Sequence, residues 1–476
     1  MSGRCVARTV TILWPLATPP LWGCADIGAF QESRPAIGCS DIIHSPSRKS
    51  GVSGMVARWQ WLLIRTTKRL WFRAGLFSLL GIVTALLAVV LRDHIPIDLP
   101  GKIGADAVDK ILGIIASSML AVTTFSLSTM VTAYGAASTG TTPRATTLVM
   151  EDTTTQNALS TFIGSFLFSL VGIIALSTGA YGAQGRVILF AVTLIVVVLI
   201  VYTLLRWIDH LSRLGRVGET IDRVEAATIS ALTDRCLRPY LGGCAYPEHP
   251  AQGLPMLTIQ SRDVGYVQHI DVPALEEFAQ KHAALIYLEV VPGSFVNEGE
   301  PLVRIVRKST ESWDEAKVVK ILSAITFGVR RTFEHDPRFG LSVLAEIASR
   351  ALSPAVNDPG TAIDVIGRGI RAFNVQARSG KLEKPEIRCS CVHVRGLSVE
   401  DMFDDFFSPI ARDGAALIEV NIRLVKALAS LPHASPSLYG DVCARHIGII
   451  LERAEAAMTL DADKARLKAC IAASPP

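Results

Sequence analysis

Ile111-Leu112-Gly113-Ile114-Ile115-Ala116-Ser117-Ser118-Met119-Leu120-Ala121-Val122-Thr123-Thr124-Phe125-Ser126-Leu127-Ser128-Thr129-Met130-Val131-Thr132-Ala133 contains no charged residue. A helix rises about 1.5 Å per residue and a bilayer core is about 30 Å thick, so this run is long enough to cross. Similar runs extend from Leu159 to Leu176 and from Val187 to Leu205, the latter bounded by Arg186 and Arg206. A further one, Ala74 to Leu91, follows the interfacial trio Leu70-Trp71-Phe72 and closes on Arg92-Asp93. The sequence therefore predicts an integral membrane α-helical domain over 55–205, with four transmembrane helices at about 74–91, 111–133, 159–176 and 187–205.

Composition agrees. Of 476 residues 50% are apolar and only 19% charged, and the mean hydropathy is +0.37. That is too apolar for a soluble enzyme, whose charged fraction is about a quarter. The net charge of +4, from 47 basic and 43 acidic residues, excludes nucleic acid as a main partner. Nine cysteines in a chain of this length do not make a disulfide scaffold. Residues 1–54 have no helical or strand period and are interrupted by Pro15, Pro19 and Pro20. We read them as a disordered or mis-annotated N-terminal extension, with Met55 as the initiator.

Orientation follows the bias of Lys and Arg near span ends. Arg58, Arg65, Lys68, Arg69 and Arg73 precede the first run, and Arg206, Arg213, Arg216 and Arg223 follow the last. Both flanks read as cytoplasmic, and the lipid bilayer is the first partner. No ionisable residue lies within the four runs, which argues against a carboxylate proton relay. The second run instead places Ser117, Thr124, Ser128 and Thr132 on one helical face, and the third places Thr161, Ser165 and Ser169 on another. These stripes serve close helix packing or form a polar seam lining a path. The loop between them, with Pro143, Arg144 and Gln156, reads as a plain connector or as a gate that docks the C-terminal region.

Several of these segments carry a family pattern. Phe125-Ser126-Leu127-Ser128-Thr129-Met130-Val131, Pro143-Arg144 and Gln156 leading to Phe162-Ile163-Gly164-Ser165-Phe166 resemble the bacterial predicted membrane proteins catalogued as domain of unknown function 2254. Gly265-Tyr266-Val267-Gln268, Pro292-Gly293-Ser294-Phe295-Val296 and Leu352-Ser353-Pro354-Ala355-Val356-Asn357-Asp358-Pro359 extend the resemblance through most of the chain beyond Leu70. Thr142 departs from it, standing where the pattern has serine. The resemblance implies the topology and a bacterial inner (plasma) membrane location, and it brings no chemistry with it.

Beyond the spans, Leu214, Val217, Ile221, Val224 and Ala227 recur at helical spacing, predicting that the last span continues as an amphipathic linker helix over 206–237. Residues 238–310 read as a small β-rich module and 311–476 as mainly helical, together a cytoplasmic α+β domain. Val291 to Ile305 is similar to half of a lipoyl-like sandwich, without the acceptor lysine context of a swinging arm. Asn357 and Asp358 precede Pro359 as a helix start, serving as a cap or as a ligand site aided by Arg330, Arg331 or Arg338. Cys389, Cys391 and His393 alternate on an expected strand from Ile387 to Val394, a poor zinc spacing. Glu400, Asp401, Asp404 and Asp405 read as a solvated helix start, and Glu334-His335-Asp336 is too weak a triplet for acid-base chemistry. With no nucleotide-loop, metalloprotease or nucleophile-elbow motif, the chain is expected not to be an enzyme and to need no cofactor. The sequence favours a homo-oligomeric channel- or transporter-like component with a cytoplasmic regulatory domain whose ligand is unknown. The alternative is a membrane-anchored sensor or scaffold.

Overall fold

The structure, a computed structural model, describes residues 75, 76, 79, 80, 83, 105–150, 152–178, 182–248, 255–307, 314–379 and 387–473. The reading of 1–54 and most of the run at 74–91 lie outside these residues. The other three apolar runs form helices α1 (Ala105–Gly140), α3 (Thr153–Ser177) and α4 (Gly182–Arg213), with the short α2 (Thr146–Met150) between α1 and α3. Three helices among the described residues are long and apolar enough to cross a membrane. Each outruns its expected span: α1 continues past Ala133 to Gly140 and stops just before Pro143, a residue that disfavours helix in its predecessor. Leu112, Met119, Phe162, Phe168, Leu189 and Trp207 bury themselves between the three. Within that apolar packing the Trp207 Nε1–H donates to Ser126 Oγ at 2.9 Å, joining α4 to α1.

The linker expected to continue α4 without interruption is broken. Gly215 adopts φ +81°, and a Cβ there would stand 3.1 Å from the Ala133 carbonyl oxygen. Only glycine tolerates both the left-handed backbone and that approach, so α4 stops at Arg213 and a new helix, α5 (Val217–Leu237), begins after Arg216. Helical periodicity on either side of the break gave no sign of it.

The chain then builds two sheets. Strands β1 (Cys244–Ala245), β2 (Met256–Gln260), β4 (Ala284–Leu288), β6 (Pro301–Arg307) and β8 (Val392–Val394) form one in the order β1-β8-β4-β6-β2. Strands β3 (Gly265–Ile270), β5 (Phe295–Val296) and β7 (Ile325–Gly328) form the other in the order β5-β3-β7. Pairing is antiparallel throughout the small sheet, and β8 lies parallel to both β1 and β4. Helices α6 (Val272–Lys281), capped by Asp271, and α7 (Glu315–Leu322) contribute Val272, Leu275, Phe278 and Ile321 to the core shared with Ile286, Leu288, Val303 and Ile305. Two of the strands, β7 and β8, come from the stretch read as mainly helical. The lipoyl-like segment is divided: Gly293 (φ +94°) and Gly299 (φ +84°) turn the chain so that β5 joins one sheet and β6 the other.

The remaining helices are α8 (Pro337–Ala351), α9 (Pro359–Ser379), α10 (Val399–Asp413), α11 (Ile418–Ser430), α12 (Pro436–Ala457) and α13 (Asp461–Ala473). Their core is aromatic, with Phe373, Phe403, Phe406, Phe407 and Tyr439 fully buried. Ala145 of the α1–α3 loop and Ile221 and Val224 of α5 belong to the same apolar cluster, which therefore joins the C-terminal helices to that loop and to α5.

Candidate functional site

The two hydroxyl stripes do not meet. Thr161, Ser165 and Ser169 are buried on α3, and the stripe continues through Gly172, where a Cβ would stand 3.0 Å from Leu112 of α1 and 3.8 Å from Leu189 of α4. Thr161 donates to Asn157 O at 2.9 Å, while the hydroxyls of Ser165 and Ser169 have no partner among the described residues. Ser117, Thr124, Ser128 and Thr132 lie on the opposite, exposed side of α1. Ser117, Thr124 and Thr132 donate to carbonyls of their own helix, for instance Thr124 Oγ1 to Ala121 O at 2.9 Å.

Lys110, Ser117, Ala121, Thr124, Ser128 and Gly135 run along the middle of this exposed arc. Leu120, Leu127 and Val131 border it on one side, Ile114 and Phe125 on the other. The exposed side of α4 differs from Leu194 onward: Leu194, Ile195, Val198, Val201, Tyr202 and Leu205 are all large, and Val198 is 69% exposed.

The chain between α1 and α3 forms a joint with the C-terminal helices. Arg144 Nη1 pairs with Glu346 Oε1 on α8, and Thr142 Oγ1 donates to Glu346 Oε2 at 3.0 Å. Asp152 caps α3 by accepting from Thr155 N at 2.8 Å. The same carboxylate holds His210 Nε2 of α4 at 2.9 Å and Arg223 Nη1 of α5 at 3.1 Å. On the far side of α5, Glu225 takes Arg368 Nη1 at 2.9 Å and Arg371 Nη2 at 2.8 Å, both from α9. Ion pairs thus connect the ends of the apolar helices directly to α8 and, through α5, to α9. Gln156 sits half-buried in the first turn of α3, its N–H donating to Asp152 O at 3.2 Å.

Of these residues the sequence singled out Pro143, Arg144 and Gln156. It missed Glu346, His210 and the acidic positions of α5. The dense charges Glu219, Asp222, Arg223 and Glu225 on one short stretch of helix were the available signal.

The other sequence candidates separate. Asp358 accepts from Thr361 N at 3.1 Å and from Thr361 Oγ1 at 2.6 Å, so its carboxylate occupies the start of α9; Asn357 precedes it at φ +49°. Arg331 is bonded to Asp336 and Arg338 to Asp401 and Asp405, away from that helix start. The strand at Ile387–Val394 shrinks to the three residues of β8, because the N–H groups of Arg388 and Cys389 both donate to Gly242 O. Burial pushes the Cys389 thiol up to about 11, and His393 stacks on Tyr287 with ring centres 4.7 Å apart. No group of three potential metal ligands occurs among the described residues.

Long apolar helices joined to an α+β C-terminal region define the class, a membrane protein. Residues 67–430 match the family described as Predicted membrane protein (DUF2254), and the chain belongs to that family. An uncharacterized protein of Mycobacterium tuberculosis strain CDC 1551 is 37% identical over 122 residues, 25% of this chain and 23% of that protein. Uncharacterized proteins of Mycobacterium bovis and of M. tuberculosis strain H37Rv are each 36% identical over the same shares. The chain thus matches about a quarter of the length of these curated relatives. No solved structure matches it.

Proposed function

We propose that the protein is a channel- or transporter-like component of the bacterial inner membrane, working as a homo-oligomer rather than as an enzyme. In this reading four helices cross the bilayer, both ends of the chain face the cytoplasm, and the C-terminal region regulates the path. The observation that carries it is the contrast between the exposed sides of α1 and α4. A helix that meets only lipid presents large apolar side chains, as α4 does. A column of small and hydroxylated residues gives lipid little to pack against, but suits close approach to another helix or contact with water. In an oligomer this column faces a second copy or lines the path between copies. Hydroxyls bonded to their own helix carbonyls keep lone pairs for water, so a hydrated route needs no charge. The joint at Asp152 and Glu346 supports regulation, because any shift of α5 or α8 pulls on the ends of α1, α3 and α4.

The same joint, taken without the path, favours the alternative of a membrane-anchored sensor or scaffold. Flux or single-channel recordings from reconstituted protein separate the two. A conductance or flux that falls at least tenfold in Thr124→Leu/Ser128→Leu and survives Val198→Leu is expected. Flux undiminished in the double variant removes the α1 path, and wild-type protein that passes no ion or small solute leaves the sensor or scaffold.

A further inference from the structure

Arg235 lies in the last turn of α5 and is 5% exposed. Its Nη2 donates to Arg395 O at 2.9 Å, whereas Nε and Nη1 have no acceptor among the described residues. Two carboxylates act on it electrostatically, Asp234 and Asp336. Both are spent elsewhere. Asp234 pairs with Arg238. Asp336 receives Arg331 Nε at 2.7 Å and Nη2 at 3.0 Å, and it caps α8 through Phe339 N at 3.1 Å.

Three guanidiniums against two carboxylates leave one buried positive charge without a counter-charge. Burial lowers the proton affinity of Arg235 to about 10, against the pull of Asp234 and Asp336, so it stays charged at neutral pH. An unpaired buried cation is heavily penalised, and replacing it by an apolar side chain ordinarily stabilises a fold. Near the surface the imbalance continues: Arg395 and Arg304 converge on the single carboxylate of Glu289, at 2.7 and 2.9 Å.

We propose that the end of α5 and the chain at Arg395 form an oxyanion site, filled by the phosphate or carboxylate group of a soluble metabolite and anchored by Arg235. The ligand supplies the missing charge and the acceptors for Nε and Nη1, and charge-assisted bonds of this kind are the strong ones. Because Arg235 and Arg223 share α5, an anion bound at one end of that helix is mechanically continuous with the ion pairs at the other. The inference is independent of whether α1 lines a path.

Thermal unfolding of the full chain in detergent micelles tests it, with inorganic phosphate, acetate and chloride compared at equal ionic strength. Phosphate or acetate is expected to raise the melting temperature of the wild type in a saturable way. Arg235→Met is expected to melt at or above the wild type in chloride and to show no response to either oxyanion. The wild type is also expected to bind radiolabelled phosphate saturably in equilibrium dialysis, and Arg235→Met to lose that binding at least tenfold. The proposal is overturned by a wild type that responds to neither oxyanion beyond chloride, or by an Arg235→Met variant that keeps the response. It is also overturned if Arg235→Met melts well below the wild type or fails to fold, which assigns Arg235 a structural role satisfied by water. Phosphate affinity unchanged in Arg235→Met counts against it equally.

Discussion

Among the described residues, helices α1 and α4 are both half-covered by their neighbours, yet they dispose of the uncovered half in opposite ways. On α4 it is large and apolar from Leu194 to Leu205, whereas on α1 a column from Ser117 through Gly135 is small or hydroxylated. Their ends differ too. The α4 end is held by His210 on Asp152, where both side chains are largely buried, and the α1 end by Thr142 and Arg144 on Glu346, where Arg144 is 61% exposed. One helix is therefore fixed at its end and lipid-like on its face. The other is loosely held and poorly suited to lipid.

The largest expected effect falls on the buried end. Asp152→Asn leaves His210 and Arg223 without their shared carboxylate, and removing one member of a buried ion pair costs about 3–5 kcal/mol. Denaturant unfolding in mixed micelles should show that loss, with α4 and α5 released together. Next comes a lysine placed on each face. At the bilayer centre lysine costs about 2.5–3.5 kcal/mol, so Val198→Lys should abolish most membrane-inserted, extractable protein, and Thr124→Lys should retain it. Equal losses would erase the distinction between the faces. A smaller effect is expected from Gly215→Ala, where a left-handed backbone meets the Ala133 carbonyl; about 1–2 kcal/mol of stability should be lost. The smallest belongs to the exposed end. Arg144→Gln and Glu346→Gln in a double-mutant cycle should couple by under about 1 kcal/mol, since exposed pairs are screened by solvent.

What could be read from the sequence depended on the range of the physics involved. Uncharged runs of 18 or more residues are local, and 111–133, 159–176 and 187–205 all emerge as helices. Caps are equally local: Asp358 before Pro359 folds as its spacing implies. Periodicity places Ser117, Thr124, Ser128 and Thr132 on one face, but it does not say what that face meets. In water the apolar side of a helix turns inward; in a bilayer both the protein interior and the lipid are apolar, so that guide is lost. Periodicity alone therefore leaves both stripes open to close packing or to a shared seam, and the structure separates them. The joint was illegible for a different reason. Glu346 lies 204 residues from Thr142, and the three-residue β8 is made a strand by β1 and β4, whose paired residues lie 149 and 106 positions earlier in the chain. Neither leaves a local trace. Gly215 stood within a regular apolar pattern, and its stop depended on the nearby Ala133 carbonyl.

The central claim, that the uncovered side of α1 meets water or another helix while that of α4 meets lipid, is tested most directly by spin labels in reconstituted membranes. Nitroxides at Thr124, Ser128, Ile195 and Val198 would be compared for relaxation by a water-soluble nickel chelate and by oxygen. The account predicts nickel accessibility or immobilisation at 124 and 128, and oxygen accessibility with free motion at 195 and 198. Mobile, oxygen-accessible and nickel-protected labels at all four positions would contradict it.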